Sequence, residues 1–168
     1  MHFVRRLLED YTPKHADPGN VRLHMLAVPV ALFAILTLAS LARVHVGAAA
    51  HTISLSMVMI PLMIVAYLST SFVTGLVLAL LLVPLGFAAN VVAVQQPPWL
   101  MAVSSVVALL LAIAVQGRGH RREVIQPKLA GPVDAIVRLS REQVLLAPLF
   151  LVGRLTGFRV EGITARPT

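Results

Sequence analysis

The chain has no cysteine among its 168 residues. That absence excludes disulfides, thiolate metal sites and a cysteine nucleophile, so any metal must be held by histidine, aspartate or glutamate. Charge is also scarce: Asp, Glu, Lys and Arg make up 12% of the sequence, with 7 acidic residues against 14 basic ones. Aromatic residues amount to only 5%, and the basic residues sit beside apolar runs rather than along a solvated stripe. Nucleic acid is therefore excluded as a partner despite the net charge of +7. What fills the chain is apolar, with 58% hydrophobic residues and a mean hydropathy of +0.86. That is the composition of a protein whose solvent is the lipid bilayer.

Phe3, Val4, Leu7 and Leu8 alternate at helical spacing with Arg5, Arg6, Glu9 and Asp10, which predicts a short amphipathic helix lying at the interface. The same charges argue against a cleaved secretory signal. Apolar runs then follow over 21–42, 51–68, 72–94 and 99–115, each close to the roughly twenty residues that cross ~30 Å of hydrocarbon. Asp17-Pro18-Gly19-Asn20 is a dense turn signal, with Asn20 as the expected N-cap of the first span. Trp99 stands where an interfacial anchor belongs. Residues 133–156 contain the apolar run Val144–Val152, too short to span and broken by Pro148, which reads as a re-entrant or interfacial segment. The expected fold is all-α: a polytopic membrane protein of one domain, 1–168. It has four transmembrane helices, an N-terminal amphipathic helix and a C-terminal re-entrant or interfacial helical segment.

The flanks give the orientation. Arg5, Arg6, Lys14 and Arg22 precede the first span, and Arg118, Arg121, Arg122 and Lys128 follow the last. The two connections around the third span hold no Lys or Arg, and Arg43 is the lone exception outside. An even number of crossings puts both basic flanks on one side, and the positive-inside rule makes that side, with both termini, cytoplasmic.

Two polar clusters are thereby brought to one membrane face. The first is Tyr11, His15, Asn20 and His24; the second is Gln116, Gly119, His120 and Glu123. Residues four apart share a helix face, so Asn20 points with His24 and Gln116 with His120, and Glu123 lies one further turn along. His15, in the preceding turn, completes the set. Imidazoles with a carboxylate suit ferrous iron with open positions, and zinc accepts the same ligands. On this reading His15, His24, His120 and Glu123 are metal ligands, and Asn20 and Gln116 hold imidazole tautomers or the substrate's polar end. Tyr11 can donate a hydrogen bond or anchor the interfacial helix, and Arg22 can pair with a carboxylate or serve as an orientation signal. The residue pattern leaves a second reading open, in which the histidines merely sit at headgroup depth. His2, His45 and His51 fall outside the convergence.

These residues carry a resemblance. Tyr11, His15, Asn20, His24 and Pro29, then Gln116, Gly119-His120, Glu123 and Pro127, then Gln143 and Ala147-Pro148-Leu149-Phe150 resemble, in that order around four apolar spans, the 2-hydroxy fatty acid dioxygenase family typified by the fungal enzyme of phytosphingosine breakdown. The resemblance implies an Fe(II)-dependent membrane enzyme that uses O2 to shorten a 2-hydroxy fatty acid by one carbon, with His15, His24 and His120 as the catalytic histidines. Two departures stand out: Arg121-Arg122 separate His120 from Glu123 where the family has apolar residues, and Gly153-Arg154 stand where it has a glutamate. The competing classes are a non-enzymatic scaffold or transporter with structural histidines and a zinc-dependent lipid hydrolase. A composition rich in Ala, Val, Leu and Arg leans towards a bacterial plasma membrane. Nothing in the sequence sets an oligomeric state.

Overall fold

A computed structural model describes residues 11–46, 51–69, 71–124, 144 and 146–156. A 3-10 turn, Thr12–His15, leads into helix α1, Pro18–Leu41. Strands β1, Arg43–Val46, and β2, His51–Ser54, pair antiparallel with Arg43 opposite Ser54. Helices α2 (Leu55–Leu68), α3 (Phe72–Gln95) and α4 (Pro98–His120) follow, and α5 (Ala147–Thr156) closes the described chain. The expected amphipathic helix at 3–10 lies outside the described residues, as do Pro127, Lys128 and Gln143.

The fold is predominantly helical, and among the described residues three helices are long and apolar enough to cross a membrane: α1 and α3 with 24 residues and α4 with 23. At 1.5 Å per residue they reach about 35 Å. The expected second span, 51–68, is corrected at its start. His51–Ser54 is strand, and α2 has 14 residues, about 21 Å. The reason is visible in the sequence: Val44, Val46, Thr52 and Ile53 of the two strands are β-branched, and they prefer a pleated pairing to a helix end.

Helix α1 is the centre of the bundle. Of its most apolar window 56% is buried, against 28% for α3 and 11% for α4. It packs against α4, α3, α2 and α5. Small residues let α4 approach: Ala27 and Ala31 of α1 meet Ala112 of α4 in a buried cluster, the packing mode of membrane helices. At the far end, Ser40 of α1 holds Ser56 of α2 through a hydroxyl pair at 2.7 Å, with Ser54 at 2.9 Å from Ser56. Helix α5 packs into the bundle, since Leu146 to Val152 are all buried. Tyr67, fully buried near the end of α2, donates its hydroxyl to the Val144 carbonyl and ties α5's approach to the bundle.

Candidate metal centre

The N-terminus of α1 is capped by Asp17, whose side chain accepts the Asn20 N–H at 2.8 Å. This corrects the expectation that Asn20 is the cap. Pro18 follows at the first helical position, where its missing N–H costs nothing. With the cap supplied by Asp17, the Asn20 side chain is released for other work. Its Nδ2 donates to Glu123 Oε1 at 2.6 Å and to the Lys14 carbonyl at 3.2 Å. Both partners are acceptors, so the amide orientation is fixed. Asn20 Oδ1 then faces Gly119 of α4, buried and without a hydrogen bond. A Cβ on Gly119 would overlap that oxygen, so glycine is what lets the end of α4 close on the start of α1.

That closure brings three imidazoles together. Ring centroids are 4.6 Å apart for His15 and His24, 4.7 Å for His15 and His120, and 4.9 Å for His24 and His120, each pair meeting edge to face. One ligand nitrogen from each lies within 4.8 Å of the others. His15 and His24 are each 1% exposed. The convergence of the two sequence clusters is thus a property of the fold.

The nitrogen roles follow from the partners. His15 Nδ1 faces the Tyr11 carbonyl at 2.9 Å, and His24 Nδ1 faces the Asn20 carbonyl at 3.0 Å. A carbonyl only accepts, so both Nδ1 atoms carry the proton and both Nε2 atoms present lone pairs. Those two Nε2 atoms lie 3.2 Å from each other. Two lone pairs at that distance repel unless a proton or a cation lies between them. A shared proton is disfavoured, because burial, aided by the neighbouring His24, His120 and Lys14, pushes the His15 pKa down to about 3 against the pull of the Tyr11 carbonyl. In a coordination sphere with bonds of ~2.1 Å, neighbouring imidazole nitrogens stand roughly 3.0–3.4 Å apart. The 3.2 Å spacing fits a cation. His120 adds a buried Nδ1 with no hydrogen-bond partner, while the Lys14 carbonyl faces its ring. Imidazoles whose other nitrogen is tied to a backbone carbonyl are the usual state of metal ligands.

Glu123 is placed differently from expectation. Helix α4 ends at His120, and Glu123 follows in a turn closed by its N–H on the His120 carbonyl. It does not lie one helical turn along the stripe, and it falls outside the group of three histidines placed to hold a metal. Buried at 6% exposure, its Oε1 accepts from the Asp17 N–H at 3.0 Å and from Asn20. It is the clasp between the start of α1 and the end of α4. Tyr11 stacks on His15, with centroids 3.8 Å apart and planes 16° from parallel. Phe150 of α5 packs on both rings, at 5.4 Å from Tyr11 and 5.5 Å from His15. Gln116 is buried one turn before His120. Arg22 is exposed on the outside of α1. His45 pairs with Thr52 in the hairpin at the opposite end of α1.

Phe150 and Gly119 matter to the site more than spacing alone suggests. The available signals were a small residue directly before a histidine and an aromatic in a buried C-terminal run. Comparison with family models, curated proteins and solved structures matched none of them, so the centre is defined by its own three histidines and their carbonyl partners.

Proposed function

We propose that this chain is an Fe(II)-dependent membrane dioxygenase that shortens 2-hydroxy fatty acids by one carbon, with His15, His24 and His120 holding the metal. The observation that carries the reading is the pair of His15 and His24 lone pairs confronted at 3.2 Å, with a third imidazole 4.7–4.9 Å away by ring centroid. Ferrous iron in that position supplies the redox chemistry that O2 needs to react with an organic acid, and three protein donors leave positions open for both reactants. The chain's own part is to bring the imidazoles together, to fix two tautomers through backbone carbonyls, and to close the site with Tyr11 and Phe150. The resemblance of Tyr11, His15, Asn20, His24, Gly119-His120 and Ala147-Pro148-Leu149-Phe150 to the dioxygenase family supplies the substrate.

A second reading is favoured by one observation. With Glu123 outside the ligand set, three histidines make the donor set of a catalytic zinc centre, and a zinc-dependent lipid hydrolase follows.

We place the centre at the cytoplasmic face of a bacterial plasma membrane, on the strength of Lys14, Arg22, Arg118, Arg121 and Arg122 around it. The start of α1 and the end of α4 meet at the histidines, and α3 runs directly into α4, so α2 has to return the chain across the bilayer as a fourth, shortened crossing.

Purified protein reconstituted with Fe(II) without oxygen is expected to hold one iron per chain and, given O2, to convert 2-hydroxypalmitate to an acid one carbon shorter. Bound zinc with oxygen-independent ester cleavage would favour the hydrolase. No stoichiometric metal of either kind would overturn both.

A further inference from the structure

Beside the histidines, α1, α3 and α5 enclose a cavity of about 350 Å³, within the ~300–1,000 Å³ range of ligand pockets. We propose that it is the berth of a single acyl chain, taken in sideways from the bilayer, and that its inner end acts as a ruler for chain length. The identity of the polar end rests on the function proposed above, whereas the chain's lodging does not.

Four observations carry this. The walls are lined by apolar side chains, among them Val28 and Leu32 of α1, Leu78 and Leu82 of α3, and Pro148 and Leu151 of α5. Such a space holds hydrocarbon and stays free of water. Val28 and Leu32 lie four and eight residues after His24 on one stripe of α1, about 6 and 12 Å further along the axis. A chain occupying the cavity therefore points its near end at the imidazoles. Helix α5 walls both spaces, since Phe150 covers His15 while Leu151 lines the cavity. Finally, Pro29 and Leu81 line the same space yet are exposed on the outside of their helices, Leu81 by 57%. In lipid that rim opens onto hydrocarbon, so a tail can slide in without crossing water.

The occupant is a single unbranched alkyl chain rather than a sterol or a second helix, because the volume suits one chain. The tail passes from one hydrocarbon surrounding to another and gains no hydrophobic free energy per carbon, so selection is steric and set by whether its tip fits short of the inner end. Leu32 and Leu85, the lining residues furthest along α1 and α3, mark that end.

The test uses palmitate carrying a photoreactive diazirine at its terminal carbon, cross-linked to the purified full-length protein in lipid nanodiscs and mapped by mass spectrometry. Labels are expected on Leu32, Leu82 and Leu85, and a short-chain analogue with the same group labels nearer Val28 and Leu78. Labels confined to the lipid-facing residues of α4, such as Leu110 and Leu111, would overturn the proposal. In a parallel binding series, Leu85→Phe is expected to weaken the longest bound chains severalfold by shortening the cavity, while leaving octanoate unchanged. Equal weakening at every length would count against the ruler. His24→Ala must keep the labelling pattern while losing metal. If labelling stands and no iron or turnover is found, the dioxygenase reading fails alone; if turnover stands and labelling misses the cavity, the berth fails alone.

Discussion

At the residue scale, the centre depends on which atoms are left without partners. His15 and His24 use their Nδ1 protons on carbonyls, and the energetic cost of two bare Nε2 atoms at 3.2 Å is offset only by something cationic between them. His24→Ala is expected to lower metal affinity by more than the roughly 10–100-fold typical of losing an outer partner, measured by metal content after dialysis against a weak chelator. Glu123→Gln separates two roles for the carboxylate. It keeps an acceptor for Asn20 Nδ2 and the Asp17 N–H, so metal stoichiometry is expected to stay at one with an affinity loss of at most about tenfold. A drop to zero would make Glu123 a ligand after all. The convergence of the three histidines was legible in the sequence because spacing sets a helix face and two of them lie at the start of the first long apolar run and one at the end of the last. Glu123's job was not, because a helical stripe drawn through it presumes that α4 continues past His120, and the chain turns there instead.

At the scale of elements, the contact between α1 and α4 is made by small side chains, so its test is a pair of glycines. Gly119→Ala drives a Cβ into Asn20 Oδ1, whereas Gly117→Ala meets nothing within 4 Å. The first is expected to destabilise by about 1–3 kcal/mol and to loosen metal binding. The second gains up to about 1 kcal/mol of helix propensity. Thermal unfolding in detergent, with metal content measured in parallel, reads both; equal effects would mean that the helices do not meet through Gly119. The same small-residue logic explains what the sequence could and could not tell about the elements. Long uniformly apolar runs announced α1, α3 and α4 within a few residues, but a run that is apolar on every side has no periodicity to mark its true start. That is why the strand at His51–Ser54 passed for the first turn of a span, although Val44, Val46, Thr52 and Ile53 carried the β-branched signature.

At the scale of the whole molecule, the placement of the centre and the number of crossings are one question. The histidine end of α1 abuts the end of α4, and the hairpin caps the opposite end of α1. Helix α1 is about 36 Å long, so Val124 and Thr52 stand on opposite sides of any bilayer that α1 spans. A chain without cysteine is already a clean background for testing this. Val124 is 99% exposed and Thr52 is exposed in β2, so either can be replaced by a single cysteine without disturbing the core. A membrane-impermeant maleimide added to intact bacterial cells is expected to label Thr52→Cys at once and Val124→Cys only after permeabilisation. Labelling of both from outside would mean that α1 does not cross, and the short α2 would then lie along the surface. Labelling of Val124→Cys alone would be compatible with the four crossings proposed and would turn the centre outward, exposing it to a different pool of lipids and leaving the basic residues around it without their topological reason.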